Sequence, residues 1–170
     1  MKVILARWFA RWAHRKQVRK YTGEPYVRHC EEVARIVLTV PHDKYMLCAA
    51  LLHDTVEDTW VKPWLVKLLF GSQVTSLVSD LTDVSTPLNG NRAARKAVDC
   101  AHSAAAEPRA QTIKLADLLS NTASITQHDP EFAKTYMAEK ERLLEVLTKG
   151  DKVLYARCQR ALRAYRRKKV

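Results

Sequence analysis

Three acids and a histidine stand within six residues, in the run Leu52-His53-Asp54-Thr55-Val56-Glu57-Asp58-Thr59, with no lysine or arginine among them. The half-helix before them, Cys48-Ala49-Ala50-Leu51-Leu52, is wholly apolar. On a single helix, His53 stacks with Glu57 and Asp54 with Asp58 at a spacing of four. Carboxylates so close repel one another, and burying them unpaired is costly. A divalent cation resolves the conflict, and imidazole with carboxylate suits manganese, iron or zinc. Solvated acids at a helix end are the alternative, which fits any one of these residues better than the set.

Two more positions belong with this cluster. His29 follows the turn Gly23-Glu24-Pro25-Tyr26 and opens a helix; alone it reads as a packed or surface histidine. Asp117 lies in Ile113-Lys114-Leu115-Ala116-Asp117-Leu118-Leu119-Ser120-Asn121, where Lys114, Asp117 and Asn121 share one face of an apolar helix. An aspartate there needs a partner, either a metal ion or a salt bridge to Lys114.

The elements that must position these groups read as helices, because apolar residues recur at helical spacing almost throughout. The pattern predicts helices through about residue 18, then over 29–39, 43–58, 63–70, 72–83, 91–106, 109–127, 131–148 and 151–167. Gly23 and Pro25 break the chain after the first helix, and Ser85–Gly90 reads as a loop. A length of 170 residues without an evident linker predicts one all-α domain spanning 1–170.

Bulk properties narrow the setting. Cys30, Cys48, Cys100 and Cys158 are scattered without a CxxC pair, as expected for reduced thiols in a cytoplasmic protein. No secretory signal is evident and no apolar run is long enough to span a bilayer, so no membrane is expected among its partners. The formal charge of +11 sits at the ends. Residues 1–20 carry +7, residues 151–170 another +7, and the body between them −3. Basic ends attract an anionic ligand or touch a polyanion loosely, or are simply solvated helix faces.

The ordered set Gln17-x-Arg19-Lys20, Gly23-Glu24-Pro25-Tyr26-x-x-His29, Leu52-His53-Asp54-x-x-Glu57-Asp58-Thr59, Phe70-Gly71, Leu81-Thr82-Asp83 and Lys114-Leu115-Ala116-Asp117-x-x-x-Asn121 resembles the HD-superfamily phosphohydrolases. Within them it is similar to the hydrolase domain of RelA/SpoT-type alarmone enzymes and the stand-alone small alarmone hydrolases, over roughly residues 14–147. The resemblance implies an HD-type helical bundle and a Mn²⁺-dependent 3′-pyrophosphohydrolase that converts (p)ppGpp to GDP or GTP plus pyrophosphate. It implies that His29, His53, Asp54 and Asp117 ligate one Mn²⁺, and that Glu57 and Asp58 position and deprotonate the attacking water. It further implies that Arg19 stacks on the guanine, with Lys20 beside base or phosphates, Asn121 at the ribose or phosphates and Tyr136 near the 3′ phosphates. Cys30 departs from the pattern, since relatives often carry proline there. The loop from Asp83 to Lys96 also differs, which leaves Arg92, Arg95 and Lys96 as phosphate ligands or an exposed helix face. Two other functions remain open: a different HD nucleotide hydrolase, such as a 5′-(deoxy)nucleotidase, and a polyanion-binding module with an inactive HD site, for which nucleic acid is the natural partner.

Overall fold

The computed structural model describes residues 1–167; the last three positions of the basic C-terminal end lie outside them. The described residues are all-α, with one isolated antiparallel bridge between Val18 and Pro25. They form two compact units, Met1–Thr82 and a second one beginning at Asp83.

The first unit holds α1 (Lys2–Ala13), α2 (Val27–Val37), α3 (Lys44–Leu52), α4 (Thr55–Asp58), α5 (Pro63–Phe70) and α6 (Ser72–Leu81). Its centre is α3, which packs against α1, α2 and α6. That position follows from composition: Met46, Cys48, Ala49, Ala50, Leu51 and Leu52 are all buried, and a helix apolar on every side must be enclosed. Asp43 starts α3 by accepting from the Tyr45 and Met46 backbone N–H groups at 2.7 and 2.9 Å. The outer helices turn narrower stripes inward, Ala6, Phe9, Ala10 and Ala13 on α1 and Cys30, Val33 and Val37 on α2.

The second unit holds a short 3₁₀ turn (Pro87–Asn89), α7 (Arg92–Ala105), α8 (Pro108–His128), α9 (Pro130–Val146) and α10 (Lys152–Arg167). Here α8 is central, packed against α9 and α10 through Ile113, Leu115 and Leu118 on its own surface and Leu144, Leu154 and Cys158 on theirs. Gln111, fully buried, donates to Ser103 O at 3.0 Å and accepts from Lys149 N at 2.9 Å, so a polar core residue ties the α9–α10 connection to α8.

Two predicted boundaries need correction. The first helix stops at Ala13 rather than near 18. The predicted helix 43–58 is in fact two, because α3 ends at Leu52 and α4 restarts at Thr55. The cause is local competition for backbone carbonyls: Thr55 Oγ1 donates to Leu52 O at 2.6 Å, and His53 Nδ1 bonds Ala50 O at 2.9 Å. The cysteines are free thiols, with Cys30, Cys48 and Cys158 buried. Burial pushes the Cys158 thiol up to about 12.

Candidate metal centre and its surroundings

The break between α3 and α4 puts His53 and Asp54 at a corner instead of along a helix face. A backbone carbonyl can only accept, so the His53–Ala50 bond fixes the proton on Nδ1 and turns Nε2 into the site. His29 enters from the first turn of α2 with its ring 5.3 Å from that of His53. Asp54 Oδ2 lies 3.0 Å from His53 Nε2 and 3.7 Å from His29 Nε2. The three donor atoms all fall within 4.8 Å of one another. Two imidazole nitrogens and one carboxylate oxygen at this spacing can hold a divalent ion, and the backbone-anchored tautomer of His53 is the form a metal ligand needs.

Tyr26 braces the corner. Its hydroxyl donates to Asp54 Oδ2 at 2.6 Å. Burial, and then the Asp54 charge, push the phenol well above its ordinary value, so it stays a donor. His14 and His29 flank its ring at 4.9 and 5.6 Å. His14 is itself buried and bonded through Nδ1 to the Gln17 side chain, and burial holds it below its ordinary value. Gln17 spends its amide N–H₂ on Asp58 O at 2.8 Å, tying the loop after α1 to the end of α4. Sequence reasoning quoted Gln17 and Tyr26 within motifs but gave neither a task, and it missed His14. A histidine three residues before a glutamine at the end of an apolar helix was the only signal available.

Glu57 and Asp58 lie on the exposed α4. The Asp58 side chain reaches solvent, yet its carboxyl is held above the ordinary carboxylate range, first by loss of solvation against its neighbours and then by the Asp54 charge.

Arg19 sits on a loop closed like a small hairpin: Arg19 N bonds Glu24 O at 2.8 Å, Gly23 N bonds Arg19 O at 3.0 Å, and Tyr26 N bonds Gln17 O at 3.0 Å. Gly23 adopts a φ of +69°, which favours glycine at that turn. The Arg19 guanidinium is paired with Glu32 at 3.3 Å, a contact the sequence did not predict. Lys20 lies over the Tyr21 ring at 4.8 Å.

In the second unit, Asp117 is buried on α8 and accepts from Asn121 Nδ2 at 2.6 Å. Lys114 pairs with Asp83 at 3.5 Å, and Lys96 meets the same carboxylate at 2.7 Å. Burial alone would raise Asp83, but Lys114 and then Lys96 hold it below the ordinary value. Asp99 anchors the loop after Asp83, accepting from Val84 N, Ser85 N and Ser85 Oγ at 3.1, 2.9 and 2.9 Å. Arg92 forms a two-pronged pair with Glu139 at 2.6 and 2.9 Å. Lys96 and Arg92 therefore support the loop from Asp83 to Asn91. Tyr136 is buried on α9 near Asp117, with the Lys140 ammonium 5.0 Å from its ring centre.

Comparison with known proteins agrees with the all-α fold. The HD domain family matches residues 6–147. The guanosine-3′,5′-bis(diphosphate) 3′-pyrophosphohydrolase MESH1 of Homo sapiens is 41% identical over 126 residues, covering 72% of this chain and 69% of the human protein. The probable GTP diphosphokinase RSH3, chloroplastic, of Arabidopsis thaliana is 37% identical over 128 residues, but this chain spans only 18% of its length. A solved metazoan orthologue of SpoT, described as hydrolysing ppGpp, matches with a TM-score of 0.87 at 30% identity, covering 96% of this chain and 94% of that one. The chain belongs to the HD-domain family.

Proposed function

We propose that the chain is a Mn²⁺-dependent 3′-pyrophosphohydrolase of (p)ppGpp, releasing pyrophosphate and leaving GDP or GTP. The observation that carries this reading is the triangle of His29, His53 and Asp54, built on a tautomer-fixed histidine in a chain 41% identical to a named ppGpp hydrolase. In this reading the three residues, with Asp117 as fourth ligand, hold one Mn²⁺. The ion's chemistry is to lower the pKa of water toward neutrality and to neutralise charge developing at phosphorus.

The chain's own groups do the rest. Tyr26 keeps Asp54 aimed by donating to Oδ2. Glu57 and Asp58, the latter with a raised proton affinity, together position and deprotonate the attacking water. Asn121 holds Asp117 through its amide and has its carbonyl oxygen left to accept from the ribose. Tyr136 lines the end that receives the 3′ phosphates. Arg19, a flat guanidinium carried on a closed loop, stacks on the guanine, and Glu32 keeps it extended between substrates. Lys20 stands beside it toward the base or phosphates.

A Mn²⁺-supplemented screen of nucleotides with product identification tests the reading. Pyrophosphate from ppGpp is the expected product; phosphate from nucleoside monophosphates would replace this reading with that of a 5′-nucleotidase. Arg19→Ala sharpens the test. Cation–π stacking is worth about 0.5–2 kcal/mol, so KM for ppGpp should rise about 2- to 30-fold while a small phosphoester is cleaved as before. Equal losses on both substrates would make Arg19 a structural contact through Glu32.

A further inference from the structure

All four tryptophans of the chain, Trp8, Trp12, Trp60 and Trp64, lie in the first unit, and all are substantially exposed, from 46% for Trp60 to 66% for Trp64. Indole is among the side chains folding most readily covers, so four left in water call for an explanation. They are not scattered. Among the exposed residues of α1, which also include Lys2, Arg7 and Arg11, Ile4, Leu5, Trp8 and Trp12 form a solvent-facing apolar set, away from the stripe that packs inward. Trp12 meets Trp60 edge-on at 4.6 Å, which joins this exposed set to the start of α5. There Trp64 and Leu68, one turn apart, are exposed as well. Phe9 meets Phe70 at 5.6 Å, a second ring contact, here between α1 and α5.

The charge around these side chains is mainly positive, although Glu57 and Asp58 stand just before Trp60. Neither residues 1–23 nor residues 59–71 contain Asp or Glu. Arg11 and Arg15 lie over the Trp8 and Trp12 rings at 5.6 and 5.3 Å, and Lys16, Lys62 and Lys67 are exposed nearby in sequence. Glu31 of α2 pairs with Arg7 at 2.6 Å and approaches Arg11 at 3.9 Å, offsetting one positive charge, and Arg15, Lys16, Lys62 and Lys67 keep the face basic on balance.

We propose that this α1–α5 face docks on the surface of an anionic lipid bilayer. A second copy of the chain would set these cations against themselves. A nucleic acid would use the indoles and arginines but has no use for Ile4, Leu5 and Leu68. An anionic bilayer uses every component: aliphatic side chains enter the acyl boundary, indoles sit at headgroup level, and Lys and Arg pair with the headgroups. The helices lie on the surface rather than cross it, since no helix among the described residues is long and apolar enough to span. No membrane was expected from the sequence, where these residues were read only as part of the first helix.

The test is co-sedimentation of the full chain with phosphatidylcholine vesicles, with and without phosphatidylglycerol. Binding is expected only to the anionic vesicles and should weaken with salt. The pair Leu5→Gln with Trp8→Gln, and separately Lys62→Glu with Lys67→Glu, should each reduce it at least about tenfold, by loss of apolar insertion and of headgroup pairing respectively. Nucleotide turnover and helicity should be unchanged in both. No sedimentation with anionic vesicles, equal binding to neutral ones, or binding that survives both variant pairs would each overturn the proposal. So would a dimer, or single-stranded RNA binding, that the same variants abolish in the absence of any vesicle affinity.

Discussion

Replacing Tyr26 with phenylalanine removes one hydroxyl, the one that donates to Asp54 Oδ2 over 2.6 Å. Partners that orient a metal ligand are typically worth about 10- to 100-fold in metal affinity or activity. Tyr26→Phe should therefore keep the fold and weaken Mn²⁺ binding by about that factor, read by calorimetric titration of the metal; unchanged affinity would reduce Tyr26 to a packing residue. Glu57→Gln should behave in the opposite way. It should retain the metal and lose turnover by about 10²–10⁴-fold, the range for a group that handles the attacking water's proton. Metal content and kcat measured on one preparation separate the two. At this scale the sequence was most informative where residue type limits the options: a histidine and an acid side by side after an apolar run have few structural uses. It was silent on pairings made by the fold, such as Arg19 with Glu32, since thirteen positions apart on a loop and a helix leave no periodic trace.

The element that matters most to the site is the interruption between α3 and α4. Helical periodicity continued across residues 53–54 in the sequence, so one long helix was the natural reading. Short-range competition overrode it, with the Thr55 hydroxyl and the His53 ring each taking a carbonyl near the end of α3. Thr55→Val removes the first of these bonds while keeping the shape. A loss of about 1 kcal/mol in urea unfolding is expected, with a weakened metal site, because the variant relaxes toward the continuous helix that would swing Asp54 away. Full stability with full metal affinity would show that His53 alone sets the corner. The same logic explains why α1 ended early. His14 leaves the helix to meet Gln17 and Tyr26, and the stretch 17–26 closes into its own bonded loop. The positions of the remaining helices were legible because Pro and Gly mark their ends.

Across the whole chain, each unit is organised on one nearly enveloped helix, α3 in the first and α8 in the second, and each presents acids of the proposed site on that helix or at its end. The second unit carries a pH-sensitive tie. Asp83 titrates below its ordinary value near 3.8 because Lys114 and Lys96 hold its charged form. Its contribution to stability is complete above that ordinary value and disappears as the pH falls through the depressed one. Helicity melts taken at falling pH should show the loss in that acid window, smaller in Lys114→Met; a loss already complete near neutrality would point to another group.

The placement of the tryptophans also decides what light can report. With every indole on the surface and the aromatic core made of Phe9, Phe70 and Tyr136, the native chain has an emitting shell and an optically quiet interior. Its fluorescence should already sit close to that of solvated indole, so unfolding will move the emission maximum little while the helical circular dichroism collapses. A large red shift on denaturation would mean that some indole is shielded in solution. For the same reason, tryptophan quenching by a soluble quencher reads the α1–α5 face alone, without background from the core.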